Sequence, residues 1–374
     1  VNRVYLDWNA TAPLRPEARG AMLAAMDAAG NPSSVHGEGR AAKAIIEKAR
    51  GQVAALVGCE PGEVVFTSGA TEAATTAITG HNGPVLISAA SHDCLAIHAN
   101  TPGHELLEVD RNGQLRQGPT HSAIEARRAE GRCLLAFSLA NGETGVIESD
   151  MLRRIALDGA CAHFADIAQI AGRRPFRFDE PWNAYGALSA HKLRGPKGVG
   201  ALLVREGFDL PPLITGGGQE TGRRSGTENL IGIAGFGAAA EAARHDLENG
   251  VWEQVAKLRD GLEDRLEAAA PDLHVFGKDA PRLTNTSYFA VPGWKGETQV
   301  MQMDLSGFAV SAGSACSSGK VDKASRVLLA MGYDEETAGS AIRVSMGPTT
   351  TEAEVMAFAD TWIEHYHRRR ARAA

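Results

Sequence analysis

The chain has 374 residues, of which 44% are hydrophobic and 22% charged, and a formal net charge of −7. This is an ordinary globular composition on a length that exceeds what one core usually serves, so a large domain with a smaller one is expected. The acidic balance argues against nucleic acid as the main partner, no apolar run approaches the ~20 residues that span a bilayer, and no basic leader with an apolar core opens the chain, so neither membrane insertion nor export is expected.

Ile45, Ile46, Ala49, Val53, Leu56 and Val57 recur at helical spacing. Val64–Thr67 reads as a short strand that stops at Ser68-Gly69. Further buried strands are expected at Val85–Ser88, at residues 106–109, 133–139 and 163–165, and at Gly200–Val204, with helical stretches between most of them. The alternation predicts an α/β fold with a mostly parallel sheet. Ligands on such sheets bind at the carboxyl ends of the strands.

Near residue 247 the pattern changes. Val251, Val255, Leu258, Leu262 and Leu266 mark a long amphipathic helix after the Asn249-Gly250 break, followed by strand-like residues 284–290 and 308–311. The final helix opens on a Thr351-x-x-Glu354 capping box and is expected to bury Val355, Phe358, Trp362 and Tyr366. Its basic end, Arg368 to Arg372, suits the helix dipole. The expected division is a large domain over residues 14–246 and a smaller α+β domain from residues 1–13 and 247–374.

Five cysteines are present: Cys59, Cys94, Cys133, Cys161 and Cys316. The odd count and the absence of metal-ligand spacing predict neither a disulfide framework nor a metal site, and a reducing cytosol fits. Cys133 and Cys161 sit in apolar runs as small core residues, Cys94 is expected in a helix and Cys59 at a helix exit. Cys316 lies among the small residues of Ser314-Ala315-Cys316-Ser317-Ser318-Gly319. From sequence it reads equally as a reactive thiol or a buried cysteine in a turn, because thiol reactivity depends on environment.

The candidate site is assembled from strand ends. Lys192, in Ser189-Ala190-His191-Lys192, leaves an apolar run and meets Gly195-Pro196-Lys197-Gly198, where a lysine can form a Schiff base with an aldehyde. Thr67-Ser68-Gly69-Ala70-Thr71-Glu72 is a strand, a glycine turn and a helix start, whose amides and Thr71 hydroxyl can hold a phosphate. His92 follows a strand and can stack on a ring or move protons. Asp166 ends another strand and can pair with a pyridinium nitrogen, with Gln169 in reach of the ring hydroxyl. Each alone has an ordinary structural reading: a surface lysine, a common βα turn, a loop histidine, an N-cap aspartate. Together they point to pyridoxal phosphate.

The chain resembles the fold-type I pyridoxal-phosphate enzymes of the class V aminotransferase group, and within it the cysteine desulfurases of the NifS/IscS type. The resemblance rests on residues 5–13, 30–34, 66–72 and 189–192, on Arg224-Ser225-Gly226-Thr227, on Ser311 to Cys316 and on Ile342-Arg343-Val344-Ser345. It implies that Lys192 carries the cofactor, that Asp166 and Gln169 meet its ring nitrogen and ring oxygen, and that His92 stacks on it. Ala70, Thr71, Ser189 and His191 would hold the phosphate, with Thr227 reaching it from the other subunit of a homodimer. Arg343 would clamp the substrate carboxylate, helped by Asn31. Lys192 and His92 would move the substrate's α-proton. Cys316 would take sulfur from L-cysteine and pass it to an acceptor such as an iron–sulfur scaffold, a tRNA thiolation protein or another carrier. Selenocysteine lyase, class V aminotransferase and a weakly active scaffold or sulfur carrier are the alternatives. One departure stands in Ala140-Asn141-Gly142-Glu143: the family's second asparagine is Gly142 here, and Asn141 or a water is expected to substitute.

Overall fold

The computed structural model describes residues 3–149, 161–313 and 324–373. A short strand, β1 (Val4–Tyr5), precedes the central sheet, which is built from β2 (Val64–Thr67), β3 (Val85–Ser88), β4 (His104–Leu107), β5 (Cys133–Ser138), β6 (Cys161–Asp166), β7 (Asn183–Ser189) and β8 (Gly200–Val204). These seven strands lie in the order β2-β8-β7-β6-β5-β3-β4. Pairing is parallel from β7 through β6, β5 and β3 to β4, while β8 runs against both of its neighbours. The expected α/β architecture with a mostly parallel sheet is therefore present. Every residue of β2, β3, β6, β7 and β8 is buried, as required of strands covered on both faces.

The edge strand departs from the sequence reading. It spans His104–Leu107 rather than residues 106–109, and pairs with β3 from Val85↔His104 to Ser88↔Leu107. Only Leu107 of β4 is buried, so the apolar pattern could not mark its start. Val109 instead bridges Leu115 across a turn.

Beyond the central sheet the chain forms β9 (His274–Val275), β10 (Thr286–Ala290), β11 (Phe308–Ala309), β12 (Ser311–Ala312) and β13 (Ala341–Ser345). The stretch expected as one strand at 308–311 is divided: β11 pairs in parallel with β1, and β12 pairs antiparallel with β13. A separate apolar cluster joins Leu6 to Val255, Leu262, Phe289, Phe358 and Trp362. The final helix has its capping box, with Thr351 N donating to Glu354 Oε2 at 2.8 Å and Glu354 N donating to Thr351 Oγ1 at 3.3 Å. Val355, Phe358, Trp362 and Tyr366 are all buried. Among the described residues no helix is long and apolar enough to cross a membrane.

Two features fix the loops around the strand ends. A Cβ on Gly200 would lie 2.5 Å from Leu188 O and 2.7 Å from Gly69 Cα, so only glycine lets β8 approach the turn after β2. In the turn Gln219–Gly222, Glu220 holds a left-handed backbone at φ +48°. Its carboxylate is 2% exposed. It accepts from Arg50 Nη1 and Nη2 at 2.8 and 2.9 Å and from Phe66 N at 2.8 Å. Glu220→Ala would leave the Phe66 amide of β2 without its acceptor and take the paired carboxylate from Arg50 Nη1 and Nη2, with only Val64 O and the more distant Glu47 remaining to that guanidinium. Breaking such a pair costs about 3–5 kcal/mol, which a denaturant midpoint shift at unchanged m-value would report.

Candidate active site

The carboxyl ends of β2, β3, β5, β6 and β7 open onto one cleft of about 530 Å³. After β2 the chain turns at Ser68-Gly69 into helix α1 (Ala70–Gly80), whose N-terminus is capped by no side chain. Its first-turn amides therefore face the cleft as an anion seat. Ser68 N donates to Glu72 Oε2 at 2.7 Å, and Arg224 Nε donates to Glu72 Oε1 at 3.1 Å. Burial pushes the Glu72 carboxyl up, but the bonds from Ser68 and Arg224 outweigh it and leave its pKa below the ordinary value.

The next strand ends are linked to one another. His92 Nδ1 accepts from Cys94 N at 3.1 Å, which orients the ring, and His92 N donates to Ser138 Oγ at 3.2 Å. Ser138 Oγ in turn donates to Asp166 Oδ2 at 3.2 Å, while Asp166 Oδ1 accepts from Ala168 N at 3.0 Å. Asp166 is buried with these donors at the end of β6, where its carboxyl group lines the cleft.

The turn after β7 supplies the rest. Lys192 Nζ donates to the carbonyls of Asn9 at 2.5 Å and Ala10 at 3.0 Å. His191 Nδ1 hydrogen-bonds with Thr11 Oγ1 at 3.1 Å. Burial, then Lys192, Lys197 and Arg173, pull the His191 pKa down to about 4, so the ring is neutral near pH 7.

The cleft thus brings together Ala70, Thr71, His92, Asp166, Gln169, Ser189, His191 and Lys192 of the expected site. Four others among the described residues lie outside its lining. Arg343 borders it, donating from Nη1 to Gly142 O at 2.9 Å and from Nη2 to Asp7 Oδ1 at 2.8 Å. Asn31 accepts from Ser33 N at 2.9 Å in an exposed turn. Thr227 is exposed. Cys316 lies outside the described residues.

Asn141 is the fourth. Its Nδ2 donates to Ala90 O at 2.7 Å, and its Oδ1 accepts from Glu143 N and Thr144 N at 2.8 and 2.9 Å. These three bonds hold the amide in the turn, and Asn141 is not among the residues that line the cleft. Gly142 itself faces the cleft, and a Cβ there would press to 3.3 Å of Gln169 Nε2. Larger hollows of about 790 and 640 Å³ lie elsewhere, one beside Arg50 and Glu220, the other beside Phe137 and His163. Neither gathers the strand ends.

The sequence reading missed Asn9, which is 1% exposed and ties together distant segments. Its backbone carbonyl accepts from Lys192 and from Gln169 Nε2, the latter at 3.1 Å. Its Oδ1 accepts from Arg173 Nη1 at 2.7 Å and Asn285 Nδ2 at 3.0 Å. Its Nδ2 donates to Thr286 Oγ1 at 2.9 Å and Gly142 O at 3.1 Å. The only signal in the sequence was its place within residues 5–13, which carried the resemblance but assigned Asn9 no task.

An uncapped helix N-terminus, a lysine amine and a buried carboxylate on one cleft are the donor set for a phosphorylated pyridine aldehyde. The profile of the family described as aminotransferase class-V matches residues 4–358. A cysteine desulfurase of Cereibacter sphaeroides is 39% identical over 95% of this chain and 93% of its own length. The cysteine desulfurase IscS of Dictyoglomus turgidum is 35% identical over 94% and 91%. The solved NifS-like protein of Rickettsia africae superposes with a TM-score of 0.91 at 30% identity, covering 98% of this chain and all (100%) of the other.

Proposed function

The chain belongs to the aminotransferase class-V family, and from that premise we propose that it is a pyridoxal-phosphate-dependent cysteine desulfurase. It takes sulfur from L-cysteine, releases L-alanine and leaves a persulfide on Cys316. The observation that carries this reading is the meeting of Lys192, Asp166 and the uncapped N-terminus of α1 on one cleft.

Pyridoxal phosphate, when bound, supplies the electron sink that makes the Cα proton of cysteine removable. Lys192 holds the cofactor covalently and moves that proton, with His92 beside it. Asp166 keeps the ring nitrogen protonated, Gln169 meets the ring oxygen, and Ala70, Thr71, Ser189 and His191 hold the phosphate. Arg343 takes the substrate carboxylate with its planar fork, and Asn31 assists it. The Cys316 thiolate attacks the substrate sulfur; an S–S bond forms, the Cβ–S bond breaks with its electron pair left on the three-carbon fragment, and that fragment takes up one proton at Cβ, regains one at Cα and leaves as alanine.

The same reading includes a homodimer, in which Thr227 serves the phosphate of a second copy. Its exposure outside its own chain's cleft is consistent with that. It includes a sulfur acceptor, an iron–sulfur scaffold or another carrier, and a cytoplasmic location, which the free thiols of Cys59, Cys94, Cys133 and Cys161 support. It also includes the division into residues 14–246 and residues 1–13 with 247–374, supported by the apolar cluster that joins Leu6 to the C-terminal helices.

The test is the visible absorbance of the purified protein, then alanine and sulfide assayed after L-cysteine and a reductant are added. A cofactor band with equal alanine and sulfide is the expected result. A band with turnover of selenocysteine or a keto-acid acceptor instead of cysteine would replace the substrate assignment. No band after pyridoxal phosphate is supplied would overturn the cofactor.

A further inference from the structure

Gln169 faces the cleft, and an amide can present either its oxygen or its nitrogen. Two bonds decide which. Gln169 Oε1 accepts from Arg173 Nη1 at 2.7 Å, and Gln169 Nε2 donates to Asn9 O at 3.1 Å. The nitrogen is therefore the end beside Gly142 in the cleft, where a Cβ would approach it to 3.3 Å. Arg173 Nη1 also donates to Asn9 Oδ1 at 2.7 Å. A single guanidinium nitrogen thus fixes both Gln169 and Asn9, whose carbonyl receives Lys192.

Arg173 is 5% exposed, and among the described residues no carboxylate pairs with it. Its guanidinium lies 5.9 Å over the Trp252 ring. Burial, then the nearby Arg343, lower its pKa to about 9, so it is cationic at neutral pH. A buried cation is costly unless it is offset, and here it sits directly behind the amide that meets the cofactor's ring oxygen in the reading above.

We propose that Arg173 is a positioning residue: it locks the Gln169 amide with its nitrogen toward the cleft, and its charge favours the anionic form of the cofactor's ring oxygen. This rests on the pyridoxal-phosphate reading. Other charged groups face the same space: Glu72, His92, Asp166, His191, Lys192 and Lys197 in the cleft, and the Asp7–Arg343 pair behind it. They are common to every variant below, so a difference between variants reports Arg173.

The experiment is a spectrophotometric pH titration of the holoenzyme's cofactor band in wild type, Arg173→Met, Arg173→Gln and Arg173→Lys. Loss of a nearby opposite charge should raise the midpoint by about one unit in Arg173→Met. Arg173→Gln keeps a donor toward Gln169 Oε1 without the charge and should shift in the same direction, which covers the case in which the methionine variant does not fold. Arg173→Lys restores charge and should return the midpoint toward wild type. An unshifted midpoint in the folded Met or Gln variant overturns the proposal and leaves the cofactor reading intact. A wild-type protein without the band overturns both.

Discussion

Lys192→Ala should lower cysteine turnover by at least ~10³-fold in a protein that still folds. The side chain is only half-buried, and its amine is held by the Asn9 and Ala10 carbonyls. Truncation therefore removes no packed core and leaves two backbone acceptors that water can reach. What is lost under the proposed function is specific: the amine that would bond the cofactor aldehyde and the base that would move the substrate's α-proton. The remaining cradle, with α1, His191 and Asp166, keeps its fixed geometry. The variant should accordingly bind added pyridoxal phosphate without a covalent link, lose it on gel filtration, and melt close to wild type. Wild-type alanine production would remove Lys192 from the chemistry altogether.

Lys192 and Asp166 were legible because strand-end positions have a local signature: an apolar run buried on both faces, then a polar residue, then turn punctuation. β5, β6 and β8 were legible for the same reason, and β4 was not, since only Leu107 of that edge strand is buried. The site's lower tier is a different matter. Asn9, Arg173, Asn285, Thr286 and Ser345 meet through hydrogen bonds between segments far apart in sequence, and no periodicity or spacing rule connects them. Asn141 shows the converse. Its position beside Gly142 suggested a role in the cleft, but the Oδ1 bonds to Glu143 N and Thr144 N are those of a turn-forming asparagine. Its place in the sequence pointed to Gly142, and what the fold shows is an amide held in the turn by three bonds.

Cys316→Ala should give the opposite pattern to Lys192→Ala: the cofactor band retained in full, and sulfide release lowered by ~10³-fold or more. Cys94 lines the cleft, but burial, then Asp166 and Asp93, push its pKa far up. Burial raises Cys59 and Cys133 as well, and takes Cys161 to about 12. None of the four offers a thiolate near neutral pH, so none replaces Cys316. The chain that leads away from the cysteine segment is tied to the cleft's rim. Ser325 Oγ donates to Glu143 Oε2 at 2.6 Å, and Tyr288 OH donates to the same oxygen at 3.1 Å. Arg326 donates to Ala89 O at 2.5 Å and pairs with Asp93 at 3.1 Å, next to His92. The measurement is alkylation and intact-mass analysis after one turnover. Wild type should gain one sulfur on Cys316, and the alanine variant none. A variant that still forms one persulfide, at wild-type rate, would transfer the nucleophile's role to Cys94, and Cys94→Ala in the same background would then abolish it.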